Sequence, residues 1–263
     1  MSAPAAEVLL EVEGAVATLT LNDTARRNVM TPELGDALCA RVAELKGRDD
    51  VRAVVLTGAA GAFSAGGDLK MLERLRQVSF EDARAFMLGF YARYLSVLDL
   101  PVPVIAAVDG PAIGAGLCVA LACDVCLVAE DSKLALNFVQ LGLHPGMGAT
   151  YLAPRRAGAQ AAAELLLTGR RFDGKEAVKL GLALEAAPAG QVLIRARELA
   201  GRIAANAPLA VRALKQRLGL DRAELQRALE EEARFQAESY GSQDLGEGLA
   251  AAAARRAPVF QGR

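Results

Sequence analysis

The chain has 263 residues, 53% of them hydrophobic, and its 30 Lys+Arg nearly balance its 31 Asp+Glu. That length can bury a large core as one domain with a small appendage. The even charge argues against a field strong enough to hold nucleic acid or an anionic membrane, and a single histidine excludes a multi-histidine metal site.

Met1–Glu7 is small and polar, without the basic start and apolar stretch of an export signal. No apolar run reaches the roughly 18 residues of a membrane span. Val8–Glu13 and Val16–Leu21 are β-prone runs around Gly14-Ala15 and read as a hairpin. Thr31-Pro32-Glu33 reads as a helix start, followed by Leu34, Ala37, Leu38, Val42 and Leu45 on one face. Val51–Thr57 reads as a strand that ends in the small-residue loop Gly58–Gly67, and Phe80–Leu98 as a long helix. Val102–Val108 reads as a buried strand, Ile113–Cys123 as a helix apolar on every side, and Asp124–Ala129 as the next strand. This alternation predicts an α/β core with a mostly parallel sheet. From Gly158 onward the composition predicts helices throughout: Ala159–Leu167, Gly174–Leu180, Val192–Ala205, Pro208–Gly219, Arg222–Tyr240 and Asp244–Ala254. Cys123 and Cys126 have C-x2-C spacing. With no second pair and no histidine cluster, they are expected to be plain buried thiols of a cytoplasmic protein.

Two loops carry the chemistry. Ala62-Phe63-Ser64-Ala65-Gly66-Gly67-Asp68-Leu69-Lys70 follows a strand, and its adjacent glycines let the backbone approach a ligand. Gly110-Pro111-Ala112-Ile113-Gly114-Ala115-Gly116 leads into the buried helix, whose free N–H groups carry partial positive charge. A carbonyl oxygen placed there would be polarised and an enolate stabilised. Each loop taken alone is also what an ordinary tight turn looks like.

These two loops, with Ala122-Cys123-Asp124, Leu141–Thr150, Thr168-Gly169-Arg170, Ala177–Leu182 and Arg255–Phe260, resemble the crotonase (enoyl-CoA hydratase/isomerase) family over essentially the whole chain. The resemblance implies a spiral of ββα turns over residues 1–190 and a helical region over 191–263 used for trimerisation, often as a dimer of trimers. It implies a CoA thioester, or an acyl group on a carrier protein, as substrate or ligand, and no further cofactor. The oxyanion donors would be the amides of Gly67 and Ala115. Ala65, Gly66, Asp68 and Leu69 would line the adenine and pantetheine path. Arg26 and Arg27 would lie near the CoA phosphates, and Phe260 would reach a neighbouring subunit's CoA.

The chain departs from the family where hydration needs carboxylates. One glutamate of the family stands three residues after the second donor, and Cys118 is here. The other stands eight residues before the glycine of the Pro145-Gly146 turn, and Phe138 is here. Adding water needs a base and an acid; phenylalanine is neither, and a buried thiol is usually inert. His144, beside Gly146, and Cys118 are the candidate substitutes. Asn137 is a further polar candidate, expected on a strand and so facing away from Phe138. Asp68 and Asp124 also read as loop-anchoring carboxylates. Three readings stay open: a hydratase/isomerase-like enzyme with altered acid/base groups, a non-catalytic acyl-CoA binder, and a thioester decarboxylase. The Asn137-Phe138 to Thr150 segment resembles the decarboxylating enzymes of polyketide β-branching. Those draw a histidine from the C-terminal region, however, and none follows His144.

Overall fold

The computed structural model describes residues 7–263. The first six residues, most of the Met1–Glu7 stretch read for an export signal, lie outside them. The chain runs through β1 (Val8–Glu13), β2 (Val16–Leu21), α1 (Pro32–Lys46), β3 (Ala53–Gly58), α2 (Leu69–Leu75), α3 (Phe80–Leu95), β4 (Val104–Val108), β5 (Ala112–Ile113) and α4 (Ala115–Ala122). It continues with β6 (Val125–Ala129), β7 (Leu134–Ala135), α5 (Ala149–Thr168), β8 (Arg171–Phe172), α6 (Gly174–Lys179) and β9 (Glu185–Ala187). Four helices close it: α7 (Val192–Ala204), α8 (Pro208–Leu218), α9 (Arg222–Tyr240) and α10 (Gln243–Ala254).

The main sheet has the order β1-β2-β3-β4-β6-β9, parallel except for the β1–β2 hairpin. Both faces are covered, so its central strands are apolar but for the buried Thr57, and still alternate between two cores. Val54 and Leu56 of β3 face the larger core with α1, α3, α4 and α9, whereas Ala53 and Val55 face α7. α7 presents Val192, Ala196, Ala200 and Ala204 at four-residue spacing, small enough to lie close to the sheet. A second sheet, β5-β7-β8, holds the loop that enters α4.

Several elements differ from the sequence expectation. The helix expected over Ile113–Cys123 starts only at Ala115. Ile113 pairs as strand with Ala135, and Gly114 breaks the chain at φ +53°, its amide donating to Ala135 at 2.8 Å. The region after Gly158 is not helical throughout: β8 and β9 lie in it, because pairing with Leu134–Ala135 and Leu127–Ala129 overrides a helix-rich composition. The helix expected from Ala159 is the second half of α5, broken at Gly158 by φ +77° and ψ 165°.

β3 and β4 are parallel neighbours, so the loops leaving their carboxyl ends, 58–68 and 109–114, emerge side by side.

Candidate functional site

These two loops are joined along their length. Ser64 bridges Ala112 in parallel, with Ser64 N–H donating to Pro111 O at 3.0 Å and Ile113 N–H to Ser64 O at 3.1 Å. Two glycines make the contact possible. A Cβ on Gly66, which also sits at φ +90°, would lie 2.7 Å from Ile113 O. A Cβ on Gly116 would lie 2.6 Å from Ser64 Cβ. Gly67 follows the bridged Ser64 by three residues on one loop, and Ala115 follows Ala112 by three on the other. Among the described residues neither amide donates to a protein acceptor. A Cβ on Gly67 would meet open space, and Ala115 is the most exposed apolar side chain of α4.

Asn28, fully buried, holds the loop from behind. Its Nδ2 donates to Ala62 O at 2.7 Å and its Oδ1 accepts from Asp23 N at 2.8 Å. Its carbonyl accepts from Ser64 Oγ at 2.8 Å, and Ser64 Oγ accepts the Gly66 amide at 3.1 Å. Ala65 N–H donates to Arg27 O, which places the Arg26–Arg27 segment against the same loop. Arg26 pairs with Asp23 at 2.6 Å. Asp68 caps α2 through the Lys70 amide at 2.9 Å, and Leu69 stands exposed beside it.

Behind Ala115 lies a wall of side chains. Cys118, one turn along α4, is fully buried, its Sγ 3.8 Å from Gly146 O. Burial, with a further contribution from the charge of Glu232, pushes its thiol far above the ordinary range, so it stays protonated. Phe138 is buried in a 3₁₀ turn, Phe138–Leu141, and not on a strand. β7 ends at Ala135, so strand alternation does not apply at Asn137 and Phe138. Asn137 Oδ1 and the Phe138 ring carbon Cζ both lie 3.7 Å from where a Cβ on Gly114 would stand. The expectation that they face apart is therefore corrected: both reach the residue before Ala115.

Gly146 is pinned by a polar group from α3 and α9. A Cβ there would sit 2.5 Å from Tyr91 Oη and 2.6 Å from Gln236 Nε2. Tyr91 Oη donates to Gln236 Oε1 and Gln236 Nε2 donates to His144 O, each at 2.8 Å. Glu232 is 1% exposed and accepts from Gly148 N at 2.6 Å, Thr150 N at 2.8 Å and Thr150 Oγ1 at 2.6 Å, which satisfies the first turn of α5. Burial pushes its carboxyl up to about 7 against the pull of those donors.

His144 is engaged by α9. Its ring stacks on Phe235 with centroids 4.8 Å apart, and its Nδ1 lies 2.7 Å from Pro145 O, so Nδ1 carries the hydrogen. Burial lowers its pKa, leaving it neutral near pH 7. Phe260 is exposed, on a tail laid along α10 by Val259 N to Glu247 and Gln261 N to Asp244. Asp124 anchors the turn into β6, accepting from Val104 N and Lys215 Nζ. Cys123 and Cys126 are buried and free, and burial pushes the Cys126 thiol up to about 12. Among the described residues no group of three His, Cys, Asp or Glu is placed to hold a metal, and no helix is long and apolar enough to cross a membrane.

The sequence reading missed Asn28, Ser64, Tyr91, Glu232 and Gln236. For the last two a signal exists: they fall on the apolar stripe of α9 with Leu225, Leu229, Ala233 and Tyr240, where a charged residue is out of place.

A family model described as enoyl-CoA hydratase/isomerase matches residues 11–263. The chain is 39% identical over 214 residues to the enoyl-CoA isomerase/hydratase fer4 of Mycosarcoma maydis, covering 81% of this chain and 77% of that one. It is 32% identical over 227 residues to the bacillaene synthase decarboxylase PksI of Bacillus subtilis, covering 85% and 88%. Among solved structures, EchA1_1 of Mycobacterium paratuberculosis matches with a TM-score of 0.86 and 32% identity, over 100% of both chains.

Proposed function

Because the chain belongs to the enoyl-CoA hydratase/isomerase family of the crotonase superfamily, we propose that it holds an acyl thioester with the carbonyl oxygen between the amides of Gly67 and Ala115. The observation that carries this reading is two N–H groups without protein acceptors, one on each of two loops joined by a glycine-dependent contact. Two donors aimed at one oxygen would make the α-carbon acidic and stabilise the enolate, roughly 3–4 kcal/mol for each donor. Backbone donors ask nothing of the side chain, so alanine at position 115 is compatible with the role. Ala65, Gly66, Asp68 and Leu69 would follow the pantetheine, with Arg26 and Arg27 toward the phosphates. In a homotrimer or a dimer of trimers, the exposed Phe260 would approach a neighbour's ligand.

The reaction is enolate chemistry without the usual carboxylate pair. Cys118 is held protonated and Phe138 has no proton to move, so activation of water for hydration has no base at either position. A second reading is favoured by the PksI relative and by the Asn137-Phe138 to Thr150 segment: decarboxylation of a malonyl-type thioester. There the bond from Cα to the carboxylate breaks and its electron pair becomes the enolate. CO₂ leaves, and a proton from water is added at Cα. Phenylalanine and a neutral thiol solvate a carboxylate poorly, which suits that step.

One preparation tests these readings. Butyryl-CoA binding by calorimetry, crotonyl-CoA hydration and malonyl-CoA decarboxylation are measured side by side. Saturable butyryl-CoA binding with slow or no hydration is expected. Decarboxylation alongside it selects the second reading, and binding with no turnover of any thioester makes the protein a binder. Failure to bind any acyl-CoA, with an acyl carrier protein also inert, overturns the thioester site.

A further inference from the structure

Resting on the thioester reading, we infer that Asn137 selects acyl groups that carry an oxygen on carbon 3. Asn137 and Phe138 flank Gly114, the residue immediately before the Ala115 donor, each 3.7 Å from the position of a Cβ on that glycine. With the thioester oxygen on the Ala115 amide, an acyl chain turned toward Gly114 would meet this pair. Phe138 presents ring carbon. Asn137 presents an amide that can both donate and accept.

That amide is unused by the protein. Among the described residues the Asn137 side chain makes no hydrogen bond to protein, and although the residue is half-buried its amide reaches solvent. Its backbone is well fixed: Asn137 O accepts the Gln140 amide at 3.1 Å, and its Cα packs 3.1 Å from the Cβ position of Gly169. An amide carried on a fixed backbone, open to water and free of protein partners, exchanges water for a ligand oxygen at the net worth of one hydrogen bond. An oxygen on C3 is the common feature of a 3-hydroxyacyl group and of a malonyl group, whose C3 is its carboxylate carbon. A saturated acyl chain lacks it. The amide is neutral, so it can orient either group without requiring its charge to be neutralised.

Dissociation constants of butyryl-CoA, 3-hydroxybutyryl-CoA and malonyl-CoA are measured by calorimetry on the full chain, wild type and Asn137→Ala, with ligand integrity checked afterwards by mass spectrometry. The preference for the oxygenated ligands over butyryl-CoA is expected to fall about tenfold in Asn137→Ala, the size of one hydrogen bond. The isosteric Asn137→Asp keeps the shape, and it separates the two sources. It retains 3-hydroxybutyryl-CoA, whose hydroxyl donates to the new carboxylate, and rejects malonyl-CoA by charge repulsion. A loss confined to one oxygenated ligand still supports the inference and names the group. If butyryl-CoA binds and neither variant changes the preference, this inference falls while the thioester site stands. If no acyl-CoA binds the wild-type protein, both fall.

Discussion

The loop ending at Gly67 and the wall of Cys118, Phe138 and α9 meet at the start of α4, and they are held in different ways. The loop offers only main-chain groups, and its shape depends on the absence of side chains at Gly66 and Gly116 and on Asn28 bonding to backbone. The wall is built from side chains, and its polar members are satisfied by one another: Tyr91 by Gln236, the first turn of α5 by Glu232. A site made of main chain would survive substitution of the residues that carry it, and under the proposed reading Ala115 is such a substitution. A site made of side chains would change chemistry with each replacement, as proposed for Cys118 and Phe138.

The comparison can be broken first at the loop. Gly66→Ala adds a methyl 2.7 Å from Ile113 O at a φ of +90°. It is expected to weaken acyl-thioester affinity about 1,000-fold, through displaced donors together with backbone strain. Calorimetry measures the affinity, with a circular-dichroism melt to check folding. At the wall, Glu232→Ala leaves the buried Gly148 amide unpaired and takes the acceptor from the two donors of the exposed Thr150, and is expected to cost about 2 kcal/mol of stability in urea unfolding. The same carboxyl gives a pH signature. Its folded pKa of about 7 stands above the ordinary value of 4.5, so the folded chain holds the proton more tightly than the unfolded one. Its contribution is full below the unfolded pKa and declines as pH rises toward the folded one. Stability should therefore fall on the order of 2 kcal/mol from about pH 5 to about pH 7, and Glu232→Gln should flatten that slope. Cys118→Ala should have the smallest effect. A thiol that stays protonated has no base to lose, so turnover is expected to change less than about threefold. A larger loss would move the chemistry from the loop to the wall.

The sequence made the scaffold legible where periodicity carries the information. The hairpin, α1 with its Thr31 cap and Pro32, and α9 over Arg222–Tyr240 follow from spacing and capping. It failed where partners are distant. β8 and β9 exist because other strands are there to pair with, and two- or three-residue runs have no period to read. Both loops were visible as glycine patterns. Asn28 and Ser64 were not, because a side chain that bonds to backbone 34 or 36 residues away leaves no local trace. Glu232 hid inside Glu230-Glu231-Glu232, which looks like a solvated face, although only Glu232 is buried.

The hydrogen bonds from α9 also bear on the order of assembly. Gly148 and Thr150 wait for a residue more than 80 positions later, and Tyr91 for one 145 positions later. A growing chain that had emerged as far as α7 could already pair β3 with β4 and join the 58–68 and 109–114 loops. The Pro145-Gly146 turn would still be unsupported. Closing such long loops is entropically slow, so a refolding time course should register the sheet early and the rear wall late, with the competent site arriving only when α9 docks.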